Sequence, residues 1–151
     1  RSLIDLITSK VVLILGRFTP KRKAVLDAIR DGLRKHDYLP VFFDFEKSGS
    51  QNFIEMVATL ARIARFVIAD FTDARSILEE MPHIVRNTAV PVQPLLLESS
   101  GEEPGTLFNL RKNHSMILDT YRYTDSRNIL ESLEAHVIFP VEAKVRELGR
   151  I

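Results

Sequence analysis

The stretch Val11-Val12-Leu13-Ile14-Leu15-Gly16-Arg17-Phe18-Thr19-Pro20 decides how the rest of the chain reads. Its first five residues are an unbroken apolar run rich in β-branched side chains. Such a run, closed by glycine, is the pattern of a strand covered on both faces, as in parallel sheets. Thr19 is a favourable N-cap. Pro20 suits the first helical position, where its φ is preset and its missing N–H is not needed. Val25, Ala28, Ile29 and Leu33 then recur at helical spacing and predict an amphipathic helix from Pro20 to about Lys35.

The alternation continues down the chain. Leu39–Phe45 reads as a second strand, broken by the loop Glu46-Lys47-Ser48-Gly49-Ser50. Phe53, Val57, Leu60, Ala61 and Ala64 mark a second helix. Phe66-Val67-Ile68-Ala69 is a third strand closed by Asp70, and a helical stretch lies within Ser76–Arg86. Pro91–Leu97 reads as a fourth strand despite two prolines that remove ladder donors. A polar loop from Glu98 to Gly105 leads to a short segment around Leu107–Arg111. Ser115–Leu118 is read as the fifth strand, Asp125–Ala135 as the next helix and Val141–Leu148 as the last. Strands alternating with helices imply a parallel sheet joined by right-handed crossovers. The expected architecture is a three-layer α/β sandwich of flavodoxin-like type, with five parallel strands in order 2-1-3-4-5. Residues 11–151 make one domain. Residues 1–10 are read as a lead-in from an upstream region, the chain starting at Arg1.

Composition narrows the function. The 151 residues contain no cysteine, which excludes disulfides, thiolate metal sites and a cysteine nucleophile. Lys and Arg number 21 against 20 Asp and Glu, a net charge of +1 that does not favour nucleic-acid binding. No apolar run approaches the roughly 20 residues of a membrane span. The expected setting is therefore cytoplasmic. The four histidines are scattered without ligand spacing, so no metal site is expected. No Walker motif, G-x-G-x-x-G or G-x-S-x-G occurs. Lys21-Arg22-Lys23 reads as part of a solvated basic face.

Ligands of open α/β sheets bind beyond the carboxyl ends of the strands, where the strand order reverses. Here that point lies between strands 1 and 3. It is served by Gly16, Arg17, Phe18 and Thr19 from one loop and by Asp70 and Thr72 from the other. Helix-start amides beside Arg17 and Lys21 favour an anion. In the third helical stretch, Ser76 and Glu79 match a capping box, which would turn Glu79 outward to a structural task. Glu80 falls on the flank of the buried face and is the expected functional carboxylate.

Taken together, Val11–Pro20, Phe43-Asp44-Phe45-Glu46 and Phe66-Val67-Ile68-Ala69-Asp70-Phe71-Thr72-Asp73 resemble bacterial TIR-like domains, particularly those at the C-terminus of pentapeptide-repeat proteins. The similarity is strongest from about Val11 to Leu97 and thins toward Pro140. It implies a defence or signalling role and a homo-oligomer built through TIR-type contacts. It also implies cleavage of the nicotinamide–ribose bond of NAD+ as substrate, with no tightly bound cofactor. Glu80 then matches the family's catalytic glutamate, with Glu79 the neighbouring option. Phe45–Ser50 corresponds to the pocket-shaping loop after strand 2. The chain lacks the Trp-Cys pair that precedes the glutamate in better-studied active members. Two alternatives stand beside this reading. One is a TIR-like docking or self-association module without catalysis. The other is an enzyme acting on N-glycosidic bonds in the manner of nucleoside deoxyribosyltransferases.

Overall fold

Val11–Gly16 forms β1 of a computed structural model that describes residues 3–44, 51–73, 75–86 and 88–149. Its side chains alternate between two apolar layers, as a strand's period of two requires. Leu13 and Leu15 join Val67, Ala69, Val57, Ala61, Ile77 and Met81 on one face of the sheet. Val12 and Ile14 join Phe66, Ile68, Ile29, Leu33 and Ile129 on the other. Both layers are buried, which is why the strand reads as continuous apolar sequence.

The preceding helix, α1, spans Leu3–Thr8. After β1 the order is α2 (Pro20–Lys35), β2 (Leu39–Asp44), α3 (Gln51–Ile63), β3 (Phe66–Asp70), α4 (Arg75–Val85), β4 (Val92–Leu97), α5 (Gly105–Asn113), β5 (Tyr121–Tyr123), α6 (Ser126–Leu133) and α7 (Phe139–Glu147). The five strands are parallel and lie in the order 2-1-3-4-5. Residues of α3, α4 and α5 pack into the first layer, and residues of α2, α6 and α7 into the second. The three-layer expectation is met. No helix among the described residues is long and apolar enough to cross a membrane.

Two local expectations are corrected. The fifth strand is Tyr121–Tyr123, paired with Leu95–Leu97, and not Ser115–Leu118. The earlier stretch makes only a single bridge, Ile117 to Val92. The buried Gln93 carboxamide, donating to the Asp119 and Pro94 carbonyls, holds the chain between that bridge and β5. α4 runs on through Pro82 to Val85, within the stretch expected to be helical. The last two helices are continuous, since a π-helical turn over Glu134–Ile138 links α6 to α7. The loop of residues 45–50 lies outside the described residues.

α2 and α6 approach closely at Gly32. A Cβ there would sit 2.5 Å from Leu133 Cδ2 and 3.1 Å from Leu130 Cδ1. On an exposed helix Gly→Ala stabilises by about 1 kcal/mol. Here overpacking costs about 1–3 kcal/mol, and the buried Leu133 has little room to move. Gly32→Ala is therefore expected to lower the urea midpoint, and a raised midpoint would contradict this packing.

Candidate functional site

The carboxyl ends of β1, β3 and β4 open into a cleft of about 1150 Å³. That is large for a small-molecule site, which typically spans roughly 300–1,000 Å³. Its walls come from three places. Arg17, Thr19 and Lys21 stand at the start of α2. Asp73, Leu78 and Glu79 come from the β3–α4 turn and α4, and Ser100, Glu102 and Thr106 from the β4–α5 segment. Phe71, Leu96 and Pro104 supply apolar surface. The cations thus come from one wall, and Glu79 and Glu102 from the others.

The α2 wall is built by a proline-started helix. The amides of Arg22 and Lys23 both donate to the Thr19 carbonyl, at 2.9 and 3.0 Å. Arg17 Nη1 donates to the Asp73 carbonyl at 2.8 Å and so ties the two switch-point loops together. Asp73 sits at φ 54°, in the left-handed region that Asp tolerates better than most residues.

Beneath this wall lies a buried polar network. Arg22 and Asp70 keep only 5% and 2% exposure. Arg22 Nη2 donates to Asp70 Oδ2 at 2.9 Å and to the Tyr123 hydroxyl. That hydroxyl donates to Asp70 Oδ2 at 3.1 Å. The Thr72 amide donates to Asp70 Oδ1 at 3.1 Å, and the Leu97 amide donates to the Thr72 hydroxyl at 2.9 Å. Burial pushes the Asp70 carboxyl above the ordinary aspartate range; the Arg22 charge and the Thr72 hydrogen bonds offset only part of that. β3, β4 and β5 are thereby joined to α2 at one end.

The third wall is pinned from behind. Arg111 grips Glu103 through two hydrogen bonds of 2.7 and 3.0 Å, and Thr120 donates to the same carboxylate. Arg122 holds the Glu98 carboxylate and the Glu98 and Gly101 carbonyls. The Arg111 hydrogen bond, opposed by partial burial and aided by Thr120, keeps the Glu103 carboxyl below the usual glutamate range. A carboxylate whose folded pKa is depressed adds stability that is complete above the unfolded value of about 4.3. That stability is lost as pH falls through the lower folded value. Glu103→Gln is accordingly expected to flatten the acid limb of the melting-temperature profile, checked by calorimetry from pH 6 downward.

The residues expected at the site divide. Arg17 and Thr19 line the cleft. Asp70 and Thr72 lie under it in the buried network, and Gly16 is buried as well. Phe18 turns away and meets Phe42 edge-on, with ring centroids 4.9 Å apart. The two glutamates exchange places. Glu79 lines the cleft. Glu80 lies in a separate groove between α3 and α4 with Glu55, Arg62 and His83. α4 begins at Arg75, so Ser76 falls inside the first turn and cannot be the cap of a capping box.

With this geometry in hand, comparisons place the fold. A diflavin flavoprotein from Nostoc sp. is similar at 13% identity, covering 91% of this chain and 96% of that one, with a TM-score of 0.63. The flavodoxin-like domain of a Synechococcus sp. protein matches at 16% identity over 91% and 89% of the two chains, with a TM-score of 0.50. The fold is flavodoxin-like. The constitutive lysine decarboxylase of E. coli contains a similar region at 10% identity and TM-score 0.55, covering 91% of this chain and 17% of that one. No protein-family model and no curated protein matches the sequence. At these identities the likeness carries the fold alone.

Arg22 is the site residue that sequence reading missed. Its place among Lys21 and Lys23 suggested solvent, yet it is buried. The signal was its register: Arg22, Val25, Leu26, Ile29 and Leu33 form one stripe at helical spacing. A cation on an apolar stripe asks for a buried acid, and Asp70 is that acid.

Proposed function

We propose that the domain binds a nucleotide-type substrate in the switch-point cleft and cleaves its N-glycosidic bond, NAD+ being the substrate that fits the TIR-like resemblance. The observation that carries this reading is the polarity of the cleft, with cations on the α2 wall and Glu79 and Glu102 on the other walls. A dinucleotide has matching polarity: a pyrophosphate at its middle and a cationic nicotinamide at one end. Glu79 is then the catalytic carboxylate, in place of Glu80.

The chemistry needs little more. The C1′–N bond breaks with its electron pair going to the nicotinamide nitrogen, which neutralises that ring. The ribose becomes oxocarbenium-like and is stabilised by the Glu79 carboxylate. Water adds to C1′ and releases a proton, giving ADP-ribose and nicotinamide. Phe71 and Leu96 offer apolar surface for a ring. The deciding experiment incubates the domain with NAD+ and follows nicotinamide. Release supports the reading, and its absence at high protein concentration counts against it.

One observation favours a second reading, a self-associating module without catalysis. Leu3, Ile4, Leu6 and Ile7 of α1 are all exposed, at 71%, 72%, 45% and 45%. Light scattering that shows a dimer or larger species, together with no nicotinamide release, would favour that module. The defence or signalling role and the homo-oligomer belong to the same family of proposals.

A further inference from the structure

We infer that His36 is a proton-operated latch that ties the end of α2 to the π-helical turn beginning at Glu134. The latch stands apart from the cleft and from the cleavage reading. His36 follows the last residue of α2, and its amide donates to the Leu33 carbonyl at 3.0 Å. Its ring makes two further contacts. Nδ1 lies 2.9 Å from the Gly32 carbonyl oxygen. The final carbonyls of a helix lack partners along the chain, and a histidine at that end can supply one. Nε2 lies 2.6 Å from Glu134 Oε2, 98 residues further on. Glu134 opens the π-helical turn Glu134–Ile138 between α6 and α7. Turns of this kind are rare breaks in regular helical bonding. The same turn carries His136, whose ring stacks on Tyr121 with centroids 4.9 Å apart.

The two partners decide the protonation state. A backbone carbonyl and a carboxylate only accept hydrogen bonds, and a neutral imidazole has one N–H. Both contacts therefore hold together only when the ring is an imidazolium. The proton rests on the ring and not on Glu134, because imidazole is the stronger base by about two pH units. An imidazolium also suits the negative end of the α2 dipole. Among the described residues Glu134 is the only charged side chain that touches the ring. Asp37 in the turn after α2 pairs with Lys10, Glu131 of α6 with Arg127, and Glu142 of α7 with Arg65. Arg34 and Lys35 in the last turn of α2 are exposed, so solvent screens their repulsion. The Gly32 carbonyl, and after it the Glu134 carboxylate, raise the His36 pKa above the ordinary histidine value, with slight desolvation opposing. A group whose folded pKa is raised adds stability that is complete below the unfolded value of about 6.5 and is lost as pH rises through the folded value. The latch is thus closed in mild acid. Once the ring is neutral, an N–H kept on Gly32 leaves Nε2 facing the carboxylate with a lone pair, and the π turn loses its tie to α2.

The test follows the His36 ring and the amides of Glu134 to Ile138 by NMR in isotope-labelled domain, from mild acid to mild alkali. A His36 midpoint above about 6.5 is expected, with the π-turn amides shifting at the same midpoint. Hydrogen exchange is read as protection relative to an unstructured chain at each pH. Protection of the π turn should fall about two- to fivefold from pH 6 to pH 8, the scale of a half-exposed ion pair. Glu134→Gln should lower the His36 midpoint and remove the pH dependence of π-turn protection. His36→Gln should remove it as well, while its carboxamide can still donate to Gly32. His136→Gln should leave both the His36 midpoint and the dependence in place. The latch is overturned if the His36 midpoint lies at or below about 6.5, if the π-turn amides do not follow it, or if the dependence survives Glu134→Gln. The first two of these outcomes need only the wild type, so a variant that fails to fold leaves the test standing.

Discussion

Glu79→Gln is expected to cut nicotinamide release from NAD+ by about 100- to 1000-fold, and Glu80→Gln to leave it unchanged. The magnitude is that of removing one preorganised electrostatic contact to a transition state. Glu79 stands on the α4 wall of the cleft, where the charge of an oxocarbenium-like ribose would develop. Glu80 faces the α3–α4 groove, and the body of α4 separates it from that charge. Glu79 is exposed, so its replacement should change stability by no more than about 0.5 kcal/mol. Loss of rate can then be read as chemistry. Equal rates for wild type and Glu79→Gln, or a dead Glu80→Gln, would return the role to Glu80.

The largest stability effect is expected at Asp70. Asp70→Ala removes the counter-ion of Arg22, whose side chain is 6% exposed and 2.9 Å from the carboxylate. Breaking a buried pair from one side costs about 3–5 kcal/mol, because the remaining charge stays desolvated. That is a large share of the roughly 5–15 kcal/mol that holds a domain together. The double variant Asp70→Leu with Arg22→Met should recover much of the loss, since an apolar pair of similar volume leaves no charge behind. Urea unfolding of the three proteins checks this. A loss under about 1 kcal/mol for Asp70→Ala would mean that water reaches Arg22 and that the network is not a buried one.

The same two residues show where sequence reading stops. Arg22 lies on an apolar stripe and Asp70 closes an apolar strand, so each was visible as an oddity. Their pairing was not, because 48 residues separate them. Glu79 illustrates a different limit. A helical wheel gives the angle of a side chain around its axis and nothing about what stands opposite. The Glu98–Pro104 segment, pinned by Arg111 and Arg122, forms the opposite wall of the cleft and turns an outward position into a lining one. The fifth strand failed for a related reason. Tyr121–Tyr123 is three residues long, too short for a periodic signal, and its place depends on Gln93 and the end of β4.

The sequence by itself determined the layered α/β architecture, the parallel order 2-1-3-4-5 and the end of the sheet at which the cleft lies. Those properties follow from continuous apolar runs, helical periodicity and the handedness of crossovers, all of which are local or topological. Only the tertiary structure decided that Arg22 is buried, that Glu79 and not Glu80 lines the cleft, and that cations and carboxylates come from different walls. These are facts about distant residues made neighbours by packing, and pairwise proximity across a fold is not written in the spacing of any single element.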